Sequence, residues 1–283
     1  MYKILEKKEL APKIKLFKLQ APLIARKAVP GNFVVLRINE KGERIPLTIA
    51  DYDRGKGTIT VVFQEVGKST EQLGQLQAGE SLADLVGPLG TPLPVAKVGT
   101  VVCVGAGVGV APTYPRAREL HELGNRVISI VGARSKEMLI MTREMESVSD
   151  EILYSTDDGT FGHHGLVTDV LKQVIERGEP IAEVLAIGPV AMMRAACNLT
   201  RTYGIKTIVS LNALMVDGTG MCGCCRVTVG NEVKFSCVDG PEFDGHLVDF
   251  AELANRQRQF IPQEKQALEA YHAKREGCRC ESA

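Results

Sequence analysis

The sequence predicts an antiparallel β-barrel followed by an α/β domain with a parallel sheet, and two observations lead to this fold class. Up to about residue 95, short apolar runs alternate with polar side chains and are separated by glycine and proline, as in small antiparallel barrels. From about residue 98 onward, β-branched runs alternate with segments of helical character. This alternation indicates a parallel sheet covered by helices on both faces.

The individual elements follow from the same patterns. In the barrel, Ile14 and Leu16 alternate with lysines, residues 33–36 form an apolar run, and residues 58–64 carry apolar side chains on one face. The strands predicted for the α/β part are residues 100–104, 126–131, 151–155, 184–187 and 206–211. The predicted helices are residues 115–123, 136–145, 166–177, 191–203 and, in a polar tail, 263–275.

Changes of pattern divide the chain into four segments. We expect a barrel over residues 1–96, an α/β domain over residues 97–211, a small cysteine-rich domain over residues 212–248 and a helical tail over residues 249–283. The 283 residues leave room for two globular units and these appendages.

Composition and charge exclude several classes of function. Lysine plus arginine and aspartate plus glutamate number 34 each, so the net charge of zero gives no bulk attraction to nucleic acid or to anionic lipid. The N-terminus has no apolar signal-peptide core. The longest uncharged run, residues 98–115, is interrupted by glycine and proline and does not indicate a membrane helix. We therefore expect a cytoplasmic protein that binds neither nucleic acid nor membrane.

The cysteines are concentrated in one place. The chain contains eight, at positions 103, 197, 222, 224, 225, 237, 278 and 280. Four of them fall within residues 222–237, and such a local group in a reducing compartment favours a metal site over disulfides.

The spacing of this group resembles that of a plant-type [2Fe–2S] site, which is C-x4-C-x2-C followed by a distant cysteine. The first three ligand positions of this pattern fall on Asp217, Cys222 and Cys225, with an aspartate in place of the first cysteine. The distant cysteine is Cys237. Three glycines in the loop let the backbone wrap closely, so that amide N–H groups point at the sulfurs.

Two alternatives remain at this point. Cys224 could replace Asp217 as the fourth ligand, although its side chain diverges from that of its neighbour Cys225. A structural zinc site would use similar residues, and unliganded buried cysteines fit this spacing least well.

Two further motifs are typical of nucleotide binding. Gly105, Gly107 and Gly109, with Pro112, follow a β-branched run and precede a helix, so a dinucleotide pyrophosphate could approach the backbone there. The motif is not G-x-G-x-x-G, and an ordinary Rossmann dehydrogenase fits it poorly.

The second motif lies in the barrel. Arg44 and Thr48, at the end of a barrel strand, have the spacing to hold a flavin pyrophosphate and to face its ring. Downstream, Gly67, Ser69 and Thr70 form a turn with backbone donors suited to phosphate.

The order of these motifs resembles the ferredoxin–NADP reductase superfamily. Within it, the chain is similar to the electron-transfer subunits of dihydroorotate dehydrogenase and of bifurcating ferredoxin:NADP oxidoreductases, over nearly its whole length. The most specific part of the resemblance is residues 214–223. The dihydroorotate type has four cysteine ligands, and aspartate at Asp217 looks like the bifurcating type.

The resemblance implies a set of site residues. Those implied to contact FAD are Arg44, Pro46, Leu47, Thr48, Val62, Phe63, Gln64, Gly67, Ser69 and Thr70. Those implied to bind the nicotinamide nucleotide are Gly105, Gly107, Gly109, Pro112, Arg134, Asp157, Gly188 and Pro189. Arg134 could pair with a 2′-phosphate, which favours NADP(H), whereas the family favours NAD(H), so both stay open. The implied cluster ligands are Asp217, Cys222, Cys225 and Cys237.

The implied function is electron transfer between NAD(H), FAD and a [2Fe–2S] cluster, with no catalytic side chain. The implied partner is a larger flavin- and [4Fe–4S]-containing subunit of a heterodimer, with ferredoxin reached indirectly. The alternatives are the corresponding subunit of dihydroorotate dehydrogenase, a sulfide dehydrogenase subunit, and a non-enzymatic regulator that binds nucleotide and zinc.

Overall fold

The computed structural model of the chain describes residues 2–280. Its first part is a nearly closed antiparallel barrel sheet with the strand order β6-β1-β2-β5-β4-β3-β7. The strands are β1 (Tyr2–Ala11), β2 (Ile14–Gln20), β3 (Phe33–Arg37), β4 (Arg44–Asp53), β5 (Thr58–Gln64), β6 (Ser81–Leu82) and β7 (Asp84–Leu89). Two helices accompany them, α1 (Pro22–Lys27) and α2 (Lys68–Gln75).

Alternation places one face of each barrel strand in a shared core. Phe17 on β2 and Phe63 on β5 meet edge to face with ring centroids 5.1 Å apart, and both are fully buried. The three barrel strands that patterning predicted are confirmed. The structure adds further strands, among them β6, β7 and β1, whose mixed charged sequence does not single it out.

The second part is a mostly parallel sheet with the strand order β11-β10-β9-β8-β12-β13-β16. Its parallel strands are β8 (Thr100–Ala106), β9 (Arg126–Ala133), β10 (Glu151–Thr156), β11 (His163–His164), β12 (Glu183–Ile187) and β13 (Lys206–Ser210). Its helices are α3 (Val110–Glu122), α4 (Thr142–Glu146), α5 (Val167–Glu176) and α6 (Val190–Thr202). The predicted fold class, barrel plus parallel α/β sheet, is confirmed.

Two predicted helices differ from the observed ones. The first begins at Val110, because a 3-10 turn at Gly107–Gly109 leads directly into α3 and leaves Pro115 inside it. The helix predicted for residues 136–145 is broken, since Met141 has a left-handed backbone (φ 51°). Only a short 3-10 turn, Lys136–Met138, and α4 form there.

The cysteine-rich segment adds a hairpin of β14 (Arg226–Val229) and β15 (Glu232–Phe235), and then β16 (Glu242–Asp244). β16 pairs antiparallel with β13 at the edge of the parallel sheet, with Ser210 opposite Glu242. Sequence patterning did not predict this strand, because three residues are too few for a periodic signal.

Two helices end the described chain, α7 (Phe250–Gln257) and α8 (Ile261–Cys280). α8 returns to the barrel, where Gln75 on α2 donates to the Tyr271 hydroxyl at 2.7 Å and His272 Nε2 lies 2.7 Å from Glu71 Oε2. Within residues 2–280, none of the helices has the length and apolar character to cross a membrane.

Candidate functional site

The glycine loop lies beside the strand at which the order of strands in the parallel sheet reverses. β8 lies at the centre, β9, β10 and β11 extend to one side of it, and β12 and β13 extend to the other. The carboxyl ends of β8 and β12 therefore flank a topological switch point, the position at which open α/β sheets bind ligands. The turn Gly107–Gly109 and the pair Gly188 and Pro189 follow these two strand ends.

Close packing explains the glycine at position 109. A Cβ atom there would lie 2.4 Å from the Ile187 carbonyl oxygen and 2.8 Å from Gly188 Cα. The Thr113 hydroxyl donates to the Gly109 carbonyl at 2.7 Å and secures the first turn of α3. The loop backbone thus lies directly on the end of β12, and the start of α3 is left available for a phosphate.

Replacing Gly109 with alanine should therefore displace this loop. We expect the dissociation constant for NADH to rise at least about tenfold, measured by fluorescence titration, because the loop must move away from Ile187. Gly55→Ala is the matched control, since its nearest contact is an ordinary 3.4 Å to a flexible side chain. Equal NADH affinity in the two variants would show that Gly109 does not shape the nucleotide site.

Two further residues predicted to bind the nicotinamide nucleotide lie on the same edge of the sheet. Arg134 follows β9 and Asp157 follows β10, and the two strands pair with Ala133 opposite Thr156. The Asp157 N–H donates to the Ala133 carbonyl at 3.1 Å, and both the Arg134 and the Asp157 side chains are exposed. Pro112 lies in the first turn of α3.

The predicted flavin residues of the barrel lie on β4 and β5. Arg44 is exposed, and Pro46, Leu47 and Thr48 are half-buried along the same strand. On β5, Gln64 is half-buried and Val62 is buried with the residues that pack between the barrel and α3.

Among the predicted flavin residues, Phe63 directs its side chain into the barrel. Its side chain is 1% exposed and packs inside the barrel against Phe17. Because neighbouring residues of a strand point to opposite faces, Val62 faces the nucleotide domain and Phe63 faces away from it. Only the backbone of Phe63 is available to a ligand in that crevice.

The start of α2 has donors suited to phosphate. Gly67 precedes the helix, and the Thr70 hydroxyl accepts from the Gly67 N–H at 3.1 Å. The Ser69 hydroxyl donates to the carboxylate of Glu43, and the Lys68 ammonium lies 3.4 Å from the same carboxylate. An anionic group thus already sits at this helix end, and the donor set fits the phosphates of FAD.

The cysteine loop brings two of the predicted ligands into contact. Cys225 and Cys237 are both 2% exposed, and their Sγ atoms are 3.1 Å apart. Backbone N–H groups point at sulfur, from Cys224 to Cys222 Sγ at 3.5 Å and from Cys237 to Cys225 Sγ at 3.4 Å. N–H groups directed at sulfur stabilise anionic thiolates, so the loop fits an iron–sulfur cluster.

Asp217 faces into the same loop. Its carboxylate accepts from the N–H groups of Thr219 at 2.8 Å, Met221 at 3.1 Å and Cys222 at 2.8 Å. These hydrogen bonds, the one from Thr219 first, hold the pKa of Asp217 below its usual range. The side chain is therefore an anion at neutral pH, beside Cys222. Over the part of the chain that the structure describes, no three acidic, histidine or cysteine side chains converge around one ion.

A contact that sequence reasoning missed joins this loop to the barrel. Gly218 has φ 77°, and a Cβ there would lie 2.7 Å from Val35 Cγ2 on β3. The register of β3 and β4 places Val35 opposite Pro46 and Phe33 opposite Thr48, so these side chains share a face. The cysteine loop therefore lies against the strand pair that carries the predicted flavin residues.

Two protein-family models match the chain. Residues 212–249 match the iron–sulfur cluster binding domain of dihydroorotate dehydrogenase B, and residues 103–198 match the oxidoreductase NAD-binding domain. Both models fall on the segments whose geometry is described above.

Curated relatives cover nearly the whole chain. A protein of Thermotoga maritima called a homolog of the electron transfer subunit of dihydroorotate dehydrogenase B (NAD(+)) is 44% identical, over 95% of this chain and 94% of the relative. The Enterococcus faecalis subunit of that name is 32% identical, over 86% of this chain and 95% of its own length. An uncharacterised Clostridium beijerinckii protein is 47% identical over 94% and 93% of the two chains.

Solved structures agree with these relatives. A chain from a structure of NADH-dependent reduced ferredoxin–NADP oxidoreductase, described in connection with flavin-based electron bifurcation, superposes with a TM-score of 0.91 at 43% identity. The match covers 96% of this chain and 98% of that one. Phthalate dioxygenase reductase, at 17% identity and a TM-score of 0.57, shares the fold.

Proposed function

Because the chain belongs to the family of electron-transfer subunits that includes those of dihydroorotate dehydrogenase B, we propose that it serves a bifurcating ferredoxin:NADP oxidoreductase. It is an oxidoreductase subunit that uses NAD(H), FAD and a [2Fe–2S] cluster. In this proposal it passes electrons between NAD(H) and a partner subunit.

The contact of Gly218 with Val35 carries this proposal. It brings the cysteine loop against the strand pair of the flavin residues, while the barrel face beside Val62 packs on the start of α3. These two contacts support a proposed order of nucleotide, flavin and cluster sites around the barrel, as an electron path requires.

In this proposal the residues of the chain bind and orient the cofactors. When bound, FAD would supply the chemistry that links two-electron hydride transfer from the nicotinamide to one-electron transfer to the cluster. Arg44, Thr48 and the first turn of α2 would hold the FAD pyrophosphate and ring, and Glu43 would yield its place to the phosphates. The buried faces of β4 and β5 would exclude water from the crevice.

Asp217, Cys222, Cys225 and Cys237 are the ligands we propose for the cluster. A carboxylate is a harder donor than a thiolate and favours ferric iron, so Asp217→Cys should keep the cluster and raise its reduction potential. Cys224→Ser should leave cluster content and potential unchanged. Redox titration followed by electron paramagnetic resonance measures both. If the potential responds to Cys224→Ser and not to Asp217→Cys, Cys224 is the fourth ligand.

The alternative functions are supported less well. The dihydroorotate dehydrogenase subunit of Enterococcus faecalis is 32% identical, against 43% for the chain of the bifurcating enzyme. Nothing in the geometry of the site points to a sulfide dehydrogenase subunit in particular.

The relatives named as subunits imply a partner for this chain. We propose that the partner is a larger protein with its own flavin and [4Fe–4S] clusters. Anaerobic purification of the tagged chain from its host, followed by identification of the bound protein, tests this. A cluster-rich flavoprotein is the expected result, and a dihydroorotate-oxidising partner without iron–sulfur clusters would overturn the proposal.

A further inference from the structure

The helix α7, which follows the cysteine-rich segment, is tied to that segment by hydrogen bonds from three of its side chains. Glu252 accepts from the Thr228 N–H at 2.9 Å, Arg256 donates to the Cys224 carbonyl at 2.9 Å, and Gln257 donates to the Asn212 carbonyl at 2.7 Å. They therefore hold Thr228 in the hairpin, Cys224 in the turn between two predicted ligands, and Asn212 at the start of the segment.

The helix itself is firmly anchored. Asp249 caps its first turn by accepting from the N–H groups of Ala251 and Glu252, both at 2.9 Å. Phe250 and Leu253 are buried in the same core as Cys225 and Cys237. Arg256 follows Leu253 by three residues and so lies on the same side of the helix, directed at the cysteine-rich segment.

The Arg256 guanidinium is the charged member of this set. Its Nε is buried and has no hydrogen-bond partner, and its terminal nitrogen bonds the carbonyl between Cys222 and Cys225. Among the side chains that the structure describes, no carboxylate lies within ion-pair distance of it. A partly desolvated cation is weakly screened, so its field acts on groups near the loop.

We propose that Arg256 is a positioning residue for the cluster, fixing the Cys222–Cys225 turn and raising the cluster's reduction potential through its charge. The inference rests on the proposed function, because it assumes a cluster in this loop. Arg256 lies beyond residues 212–249, which match the iron–sulfur domain model. Reduction adds negative charge to the cluster, and a fixed cation nearby favours that reduced state.

Three variants of the full chain separate the charge from the hydrogen bonds. Arg256→Gln removes the charge, and Arg256→Lys keeps the charge but loses the planar fork. Arg258→Gln, two residues along at the C-cap of the same helix, removes an exposed charge and is the matched control. Flavin content and circular dichroism first establish that each variant folds.

The readouts are the cluster's midpoint potential, from an anaerobic redox titration followed by electron paramagnetic resonance, and the rate of iron release to a chelator. For Arg256→Gln we expect a lower potential, with the one-electron reduction constant falling about tenfold, equivalent to about 59 mV. Iron release should become several-fold faster. Arg256→Lys should restore the potential while iron release stays fast, and Arg258→Gln should match the unaltered protein.

An Arg256→Gln variant with the potential and release rate of Arg258→Gln would overturn the inference while leaving the proposed function intact. If neither Arg256 variant folds, Arg256 supports the fold rather than the cluster, and the inference is overturned as well. An unaltered protein without iron and sulfide would overturn both the inference and the proposed function.

Discussion

Replacing Cys237 with serine should remove the cluster and leave the flavin in place. Cys237 is 2% exposed and in contact with Cys225, so its loss removes one of the proposed ligands from the buried side of the loop. Burial raises the pKa of the Cys237 thiol to about 12, and iron must displace that proton when the cluster assembles. A serine hydroxyl is still harder to deprotonate and is a poorer ligand for iron.

Iron and sulfide content should fall to background in Cys237→Ser, while FAD content and the reduction of the flavin by NADH are unchanged. The matched control is Cys224→Ser, which alters a cysteine of the same loop that we do not propose as a ligand. A Cys237→Ser protein with the iron and sulfide of the unaltered chain would show that the cluster is not held by this residue.

The second large effect concerns a buried ion pair between Arg116 on α3 and Glu242 on β16. Arg116 is 4% exposed and Glu242 is 1% exposed. Arg116 also donates to the Leu93 carbonyl at 2.6 Å, and Glu242 accepts from the Leu93 N–H at 2.9 Å. The pair therefore joins the parallel sheet, the strand that follows the cysteine hairpin, and the segment leaving the barrel.

Glu242→Ala should lower the free energy of unfolding by up to about 3–5 kcal/mol, because it removes the fully buried partner of Arg116 and leaves that charge only its ion pair with the partly exposed Glu119. The double variant Arg116→Met with Glu242→Leu removes both charges and should recover most of that loss. Glu232→Ala, which removes an exposed ion pair with Lys234, should cost less than about 1 kcal/mol. Urea unfolding followed by circular dichroism measures all three.

Burial raises the pKa of Glu242 above its unfolded value, although Arg116 opposes the shift. The folded protein therefore binds this proton more tightly, and the contribution of Glu242 to stability falls as the pH rises through its folded pKa.

A double variant as unstable as Glu242→Ala alone would show that the lost packing, and not the lost charge partner of Arg116, sets the cost in unfolding free energy.

Sequence patterning predicted those parts of the fold that have a local signal. The strands around Ile14, Phe33 and Thr58, and the helices α5 and α6, follow from apolar periodicity and glycine stops. The break at Met141 was missed, because nothing in the local sequence requires a left-handed methionine. The start of α3 was missed because Pro115 was expected near a helix start, and the structure places it inside the helix.

In the candidate site, too, only the features with a local sequence signal could be predicted. The spacing of Asp217, Cys222 and Cys225 is local and could be read directly. The contact of Gly218 with Val35, and the bond from Arg256 to the Cys224 carbonyl, join residues far apart in the chain. Such contacts depend on the order of the strands and the docking of the helices, which the local pattern of a single sequence does not determine. The inward orientation of Phe63 follows from strand alternation and could have been predicted.

The most direct test of the account is anaerobic reduction of the purified chain with NADH, with iron, sulfide and flavin measured on the same sample. We expect the flavin absorbance to bleach and the electron paramagnetic resonance signal of a reduced [2Fe–2S] cluster to appear. A colourless protein that holds zinc, and that shows neither flavin nor this signal after NADH, would contradict it.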